Sequence, residues 1–164
     1  MKRIVVYESG TGFTEKYAKW IAEDLGCEAK ERKHVNAQSL AEYDQVIYGG
    51  WVMAGMISGY NKVKAMNLKN LVVFAVGMTI PSDEVVAKLA EQNQISQGSL
   101  FYFEGGFNPQ KLGFFKKKII GMIQKSIEKK EEKTEEDIYM LQTCAGADRT
   151  SREAIADLIA YCES

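Results

Sequence analysis

A loop rich in hydroxyl and glycine residues carries the most informative chemistry in the sequence. It reads Ser9, Gly10, Thr11, Gly12, Phe13 and Thr14, and it joins a short apolar run to a stretch with helical spacing. Backbone N–H groups and the dipole at a helix N-terminus attract anions, and glycine lets the backbone approach a ligand closely. The loop contains no lysine or arginine, so we expect neutral hydrogen bonds to hold the anion. The motif predicts a phosphate site, with a simple capped strand-to-helix turn as the alternative.

The spacing of the glycines limits which phosphate ligand this loop could bind. A nucleoside-triphosphate loop needs G-x-x-x-x-G-K-[ST], which is absent here. A dinucleotide fingerprint needs G-x-G-x-x-G, but Glu15 occupies the last glycine position after Gly10 and Gly12. Both departures count against ATP, GTP and NAD. The hydroxyls suit a terminal phosphate monoester, whose three free oxygens can each accept several hydrogen bonds.

Apolar runs alternate with helical patterns along the chain. The predicted strands are 4–7, 27–32, 46–48, 71–76 and 100–103, and the predicted helices are 14–25, one from Ser82, and one from about Ser151. This alternation predicts an α/β fold with a parallel sheet and helices on both faces. Three strands end in glycine, at Gly49-Gly50, Gly77 and Gly105-Gly106. Ligands of such sheets bind at the carboxyl ends of the strands, which is where the phosphate loop also begins.

Composition excludes several classes of protein. The 164 residues are 46% hydrophobic with a net charge of −1, which predicts one globular domain over 1–164 and no nucleic-acid partner. Three separated cysteines and a single histidine form no metal-binding or catalytic pattern, so we expect no metal and no catalytic side chain. The absence of a signal-peptide pattern or a ~20-residue apolar run predicts a cytoplasmic protein.

Residues 105–148 interrupt the alternation, and we interpret them as an insertion before the last helix. Residues 111–130 contain seven lysines and one glutamate, a local charge of +6, and their apolar residues repeat at helical spacing. Such a helix either lies on a membrane surface, docks to a protein, or packs its apolar face on its own domain. The later run Ile138 to Leu141 is read as extended.

The segment from Val5 through the phosphate loop to Ile21 resembles the flavodoxin signature at every constrained position. This resemblance implies a flavodoxin-like three-layer α/β/α sandwich whose five parallel strands have the order 2-1-3-4-5. It also implies FMN as the ligand, with its phosphate held by residues 9–14. Apolar walls and few cations would then disfavour the anionic reduced flavin and lower its potential.

The resemblance places the flavin ring between two further loops, 49–58 and 77–81. The residues it assigns to flavin binding are Gly50, Trp51, Val52, Met53, Ala54, Gly55, Gly77, Met78 and Thr79. In this assignment the carbonyl of Gly55 can turn toward flavin N5. Trp51 either covers a flavin face or packs the strand end as core, and Met53 and Met56 either contact the ring or fill the core.

By the same resemblance, the chain is an electron-transfer flavoprotein that serves a redox partner protein. The alternative is an FMN-dependent oxidoreductase that moves electrons between a small organic donor and a quinone acceptor. The inserted basic helix is similar in layout to the menaquinone-dependent protoporphyrinogen IX dehydrogenase branch of the family. Peripheral contact with the inner face of the membrane through residues 111–130 is an accompanying hypothesis, and a scaffold that has lost FMN is a third class.

Overall fold

Five parallel strands form the central sheet of the computed structural model, which describes residues 1–96 and 98–164. They are β1 (Arg3–Glu8), β2 (Glu28–Glu31), β3 (Gln45–Met53), β4 (Leu71–Gly77) and β5 (Leu100–Glu104). Their order is β2-β1-β3-β4-β5, and each neighbouring pair is parallel. The predicted strand order 2-1-3-4-5 and the flavodoxin-like fold are therefore confirmed.

Two small β-pairings, which the sequence did not predict, extend this plan. The short strand Met56–Ile57 turns back on the end of β3 and pairs with it antiparallel, so the central sheet has six strands. A separate two-stranded sheet joins Gly106–Phe107 to Ala147–Asp148. This second pairing ties both ends of the predicted insertion together.

Seven α-helices surround the sheet in the part of the chain that the structure describes. They are α1 (Phe13–Asp24), α2 (Ala37–Leu40), α3 (Tyr60–Lys64), α4 (Asp83–Asn93), α5 (Phe114–Glu128), α6 (Glu135–Cys144) and α7 (Ala156–Glu163). Three 3₁₀ turns accompany them, at Arg32–His34, Pro109–Lys111 and Glu153–Ile155.

The strands are rich in β-branched residues and are buried on both faces. The fold therefore has two apolar cores, one on each side of the sheet. Val5 and Phe74 pack with α1 and α7 on one face, whereas Val6 and Val73 pack with α3 and α4 on the other. Successive strand residues point to opposite faces, so continuous apolar runs are needed where helices cover both sides. The apolar runs in the sequence were therefore a sound basis for the parallel sheet.

Two local predictions were wrong. Ile138 to Leu141 lies in α6 and not in an extended segment. Thr134 and Asp137 form a reciprocal capping box at the start of that helix, with N–H to oxygen distances of 3.0 and 3.1 Å, and this cap outweighs the strand preference of a short apolar run. Ala154, expected inside the last helix, is exposed in the 3₁₀ turn that precedes α7.

Candidate functional site

The carboxyl ends of the central strands border a cavity of about 760 Å³. The loops after β1, β3 and β4 form one side of it, and α5 forms the other. Its lining includes every residue assigned to flavin binding except Gly12 and Gly50: Ser9, Gly10, Thr11, Phe13, Thr14, Trp51, Val52, Met53, Ala54, Gly55, Gly77, Met78 and Thr79. Cofactor pockets commonly have volumes of roughly 300–1,000 Å³. The structure thus brings three loops that are distant in sequence around one space of suitable size.

The first loop turns sharply from β1 into α1. Gly12 is the N-cap of α1 with a φ of 103°, a conformation that favours glycine. Ser9 Oγ accepts a hydrogen bond from the N–H of Gly12 at 3.1 Å, which closes the turn, and Thr14 is buried in the first turn of the helix. Gly12 itself lines a second, adjoining space of about 620 Å³. This geometry directs the amino end of α1 toward the cavities, as a phosphate site requires.

Two lysines, Lys16 and Lys111, line the same space as this loop. The sequence pattern did not indicate either of them as a neighbour of the loop. Lys16 follows in α1 and donates to Asp148 Oδ2 at 2.9 Å and to Thr150 Oγ1 at 2.7 Å. Lys111 comes from the 3₁₀ turn after β5 and lines the same space as Gly12. The loop's own residues are neutral, and the predicted insertion folds back and carries the cation of Lys111 beside Gly12.

The second loop is a tight hairpin held by α4. Ala54 and Gly55, with φ values of 49° and 78°, connect β3 to the strand Met56–Ile57. The buried side chain of Asn93 accepts a hydrogen bond from the N–H of Ile57 at 3.0 Å and donates to the carbonyl of Gly55 at 2.9 Å. In this conformation, the Gly55 carbonyl that the family resemblance directs toward the flavin is hydrogen-bonded to α4.

Gly50 supports this loop without reaching the cavity. A Cβ atom at this position would lie 2.5 Å from the carbonyl oxygen of Ser58 and 2.7 Å from Cγ2 of Ile57. The backbone of β3 can approach the returning chain only because no side chain is present. The Ser58 hydroxyl then accepts a hydrogen bond from the N–H of Trp51 at 3.1 Å, which fixes the start of the loop.

Trp51 lies in the cavity wall and outside both core clusters. A Cβ atom on Gly10 would be 3.6 Å from its Nε1 atom, so the indole packs beside the phosphate loop. On its other side, Lys116 Nζ of α5 lies 5.0 Å from the indole centroid, in cation–π contact. Met53 and Met56 are half-exposed and do not fill the core. The core interpretation of all three side chains was therefore wrong.

Tyr102 holds the third loop, which follows β4. Its hydroxyl donates to the carbonyl of Thr79 and accepts from the N–H of the same residue, both at 2.9 Å. Burial raises the pKa of Tyr102 above its ordinary value, and the hydrogen bond from Thr79 N–H partly opposes that rise. The ring occupies the space beside Gly77, where a Cβ atom would lie 2.6 Å from the Tyr102 hydroxyl. Tyr102 is thus a supporting residue that the loop sequences alone did not indicate.

Apolar residues of α5 close the far side of the cavity. Leu112, Ile119, Ile120 and Ile123 line it, together with Met140 of α6. Two lysines, Lys88 and Lys116, also line the cavity, and none of its described lining residues is acidic. The local charge is therefore positive, and the predicted shortage of cations around the site was wrong.

Comparisons with known proteins gave a family match and matches to solved structures. A family model described as a flavodoxin domain matches residues 4–135. A flavodoxin from the domain Archaea is 15% identical, with 100% of both chains covered and a TM-score of 0.48. Oxidised flavodoxin 2 from Bacillus cereus is 17% identical over 88% of this chain and 96% of the other, also with a TM-score of 0.48. Among curated proteins, the sequence finds no match.

Proposed function

The chain belongs to the flavodoxin family, and from this premise we propose that it binds FMN without a covalent bond and transfers electrons through it. The supporting observation is the convergence of the loops after β1, β3 and β4 on one cavity of about 760 Å³. The bound flavin supplies the redox chemistry, and the protein supplies binding, orientation and electrostatics.

The residues at the two ends of the site fit the two ends of FMN. Ser9, Thr11 and Thr14, with the N–H groups at the start of α1, would hold the phosphate. Trp51 and the loop residues 53–55 and 77–79 would line the ring. Gly10 places no side chain between the phosphate loop and the indole of Trp51. A single phosphate loop without a dinucleotide fingerprint favours FMN over FAD.

The hydroxyl groups of the phosphate loop provide a direct test. In the double variant Thr11→Val, Thr14→Val, the side chains keep their shape and lose two hydrogen-bonding groups. We expect FMN affinity to fall by about 100-fold or more, because each of the two lost hydrogen bonds to a charged group costs roughly 1.5–3 kcal/mol. Far-UV circular dichroism controls for folding. Unchanged FMN affinity in a folded double variant would contradict the phosphate assignment.

A second candidate is an FMN-dependent oxidoreductase of the protoporphyrinogen oxidase or quinone reductase type. The observation that favours it is the apolar side of α5, where Ile119, Ile120 and Ile123 line the cavity. An electron carrier that docks to a protein needs only an exposed flavin edge. An apolar helix over the cavity, in contrast, encloses space for a flat lipophilic reactant. A quinone is a reactant of that kind.

Anaerobic stopped-flow measurements separate the two candidates. If the holoprotein is an enzyme, a small organic donor alone reduces it, and a soluble quinone reoxidises it in rapid steps. If it is a carrier, its reduction requires a reductase protein. The variant Ile120→Ser should slow the reaction with the quinone and leave reduction by dithionite unchanged. Equal rates of reaction with the quinone for the wild type and Ile120→Ser would count against a reactant bound under α5.

The outer face of α5 supports peripheral membrane contact. Phe114 and Phe115 are 81% and 79% exposed, Met122 is 65% exposed, and Lys117 and Lys118 lie on the same exposed helix. Within residues 1–96 and 98–164, no helix is long and apolar enough to cross a membrane. Exposed aromatic residues beside lysines suit the surface of an anionic bilayer, where each lysine contributes about 1 kcal/mol.

Vesicle sedimentation tests this contact. We expect the protein to bind vesicles containing phosphatidylserine at low salt, and to bind neutral phosphatidylcholine vesicles more weakly. The variant Lys117→Glu, Lys118→Glu should lose the preference for anionic vesicles while its FMN affinity stays unchanged. Equal sedimentation with both lipids at low salt would contradict the electrostatic part of the proposal.

A further inference from the structure

Lys111 brings a positive charge to the phosphate loop from the segment that follows β5. The 3₁₀ turn Pro109–Lys111 is capped by Asn108, whose side-chain oxygen accepts a hydrogen bond from the N–H of Gln110 at 3.0 Å. This turn directs the lysine back over α1. Its Nζ atom lies 3.8 Å from the position that a Cβ atom on Gly12 would occupy. The ammonium group therefore sits over the backbone at the start of the helix.

This position is unfavourable for a cation in the absence of an anion. The amino end of a helix carries a partial positive charge, which repels an ammonium group. Across the described residues, 1–96 and 98–164, no carboxylate oxygen lies within 4.0 Å of Lys111 Nζ. Lys16, in the first turn of the same helix, is instead paired with Asp148. An anion between Lys111 and the start of α1 would interact favourably with both.

We propose that Lys111 binds the terminal phosphate of FMN, an inference that rests on the proposed function. The lysine adds a charge-assisted hydrogen bond to a loop whose own residues are neutral. It also links phosphate binding to α5, because Leu112 follows directly and, like Lys116 in the first turn of α5, lines the main cavity. Occupation of the phosphate site therefore helps to hold the beginning of α5 over the cavity.

Titration of the apoprotein with FMN and with riboflavin, which lacks the phosphate, tests this role. We expect Lys111→Gln to weaken FMN binding by about tenfold, the effect of losing one partly exposed charged hydrogen bond. Riboflavin affinity should stay within about twofold, since no phosphate is present. Lys111→Arg should retain most of the FMN affinity. In the wild type, FMN affinity should fall more steeply with salt than in Lys111→Gln.

Lys69→Gln is the matched control, because Lys69 is an exposed lysine just before the amino end of β4, whereas the cavity lies at the carboxyl ends of the strands. It should leave both affinities unchanged. Equal weakening of FMN and riboflavin in Lys111→Gln would show that Lys111 only positions its segment, and would overturn the proposal. Unchanged FMN affinity in that variant would also overturn it. A wild-type chain that binds neither flavin would refute the proposed function and, with it, this inference.

Discussion

Asn93 holds the second cavity loop, and its removal should destabilise both the fold and the site. The side chain is 3% exposed at the end of α4. It accepts a hydrogen bond from the N–H of Ile57 at 3.0 Å and donates to the carbonyls of Gly55 and Leu89 at 2.9 Å each. Asn93→Ala removes all three hydrogen bonds. It leaves the N–H of Ile57, itself a buried residue, without its partner.

The expected loss of stability follows from these bonds. An unpaired buried donor costs roughly 1–3 kcal/mol, and each other lost hydrogen bond contributes about 0.5–1.5 kcal/mol. Because the carbonyl of Leu89 lies inside a helix, we count its loss at the lower end. We therefore expect the free energy of unfolding to fall by about 2–5 kcal/mol. FMN affinity should fall by about 3- to 10-fold, because the hairpin must be ordered again on binding.

Urea unfolding of the apoprotein, followed by far-UV circular dichroism, measures the first quantity. FMN titration measures the second. Asn61→Ala, at an exposed position in α3, is the matched control and should change the free energy of unfolding by no more than about 0.5 kcal/mol. Hydrogen exchange should show lost protection at the N–H of Ile57. An Asn93→Ala protein with wild-type stability and unchanged exchange at Ile57 would refute this account of the loop.

Three further predictions concern charge, pH and exposure. Lys116→Gln should lower the potential of the second one-electron reduction step by about 40 mV, because removing a nearby cation destabilises the negatively charged fully reduced flavin by about 1 kcal/mol; an unchanged potential in a redox titration would contradict this. Burial raises the pKa of Tyr17 to about 12, so the unfolded chain loses its proton first and stability should fall as pH rises from 10 to 12. In Tyr17→Phe this fall should be smaller by roughly 1–3 kcal/mol, and an identical pH dependence would show that Tyr17 contributes nothing. The double variant Phe114→Ser, Phe115→Ser should keep a nearly unchanged free energy of unfolding in urea, since both rings are exposed. A loss of free energy of unfolding above about 2 kcal/mol would mean that the rings pack on the protein.

Much of the fold could be predicted from local patterns. Val5, Val6, Val72 and Val73 lie in continuous apolar runs, and such runs are required of strands that are covered on both faces. Glycines at the strand ends indicated where a neighbouring group approaches the backbone closely, as the Tyr102 side chain does beside Gly77. The capping box of α6 is also a local pattern, because Thr134 and Asp137 are three residues apart, and it predicts the helix that the apolar run after it does not.

The contacts that support the site were beyond the reach of local patterns. Asn93 meets Gly55 only after α4 packs beside β3, and Lys111 meets Gly12 only after the segment following β5 folds back. No spacing of residues in the sequence predicts either contact, because each contact depends on how separate elements pack. Loop 9–14 could be singled out from the sequence because its residues are contiguous, whereas the cations around the cavities come from α4, α5 and the turn before α5.

The central claim is that the three loops form one FMN site, and an NMR titration of the ¹⁵N-labelled apoprotein with FMN tests it most directly. We expect amide signals of residues 9–14, 50–55 and 77–79 to change together and to saturate at one equivalent of FMN. Signals at the amino ends of the strands, such as those near Lys69, should stay in place. Changes that fail to saturate, or that cluster away from these three loops, would contradict the claim.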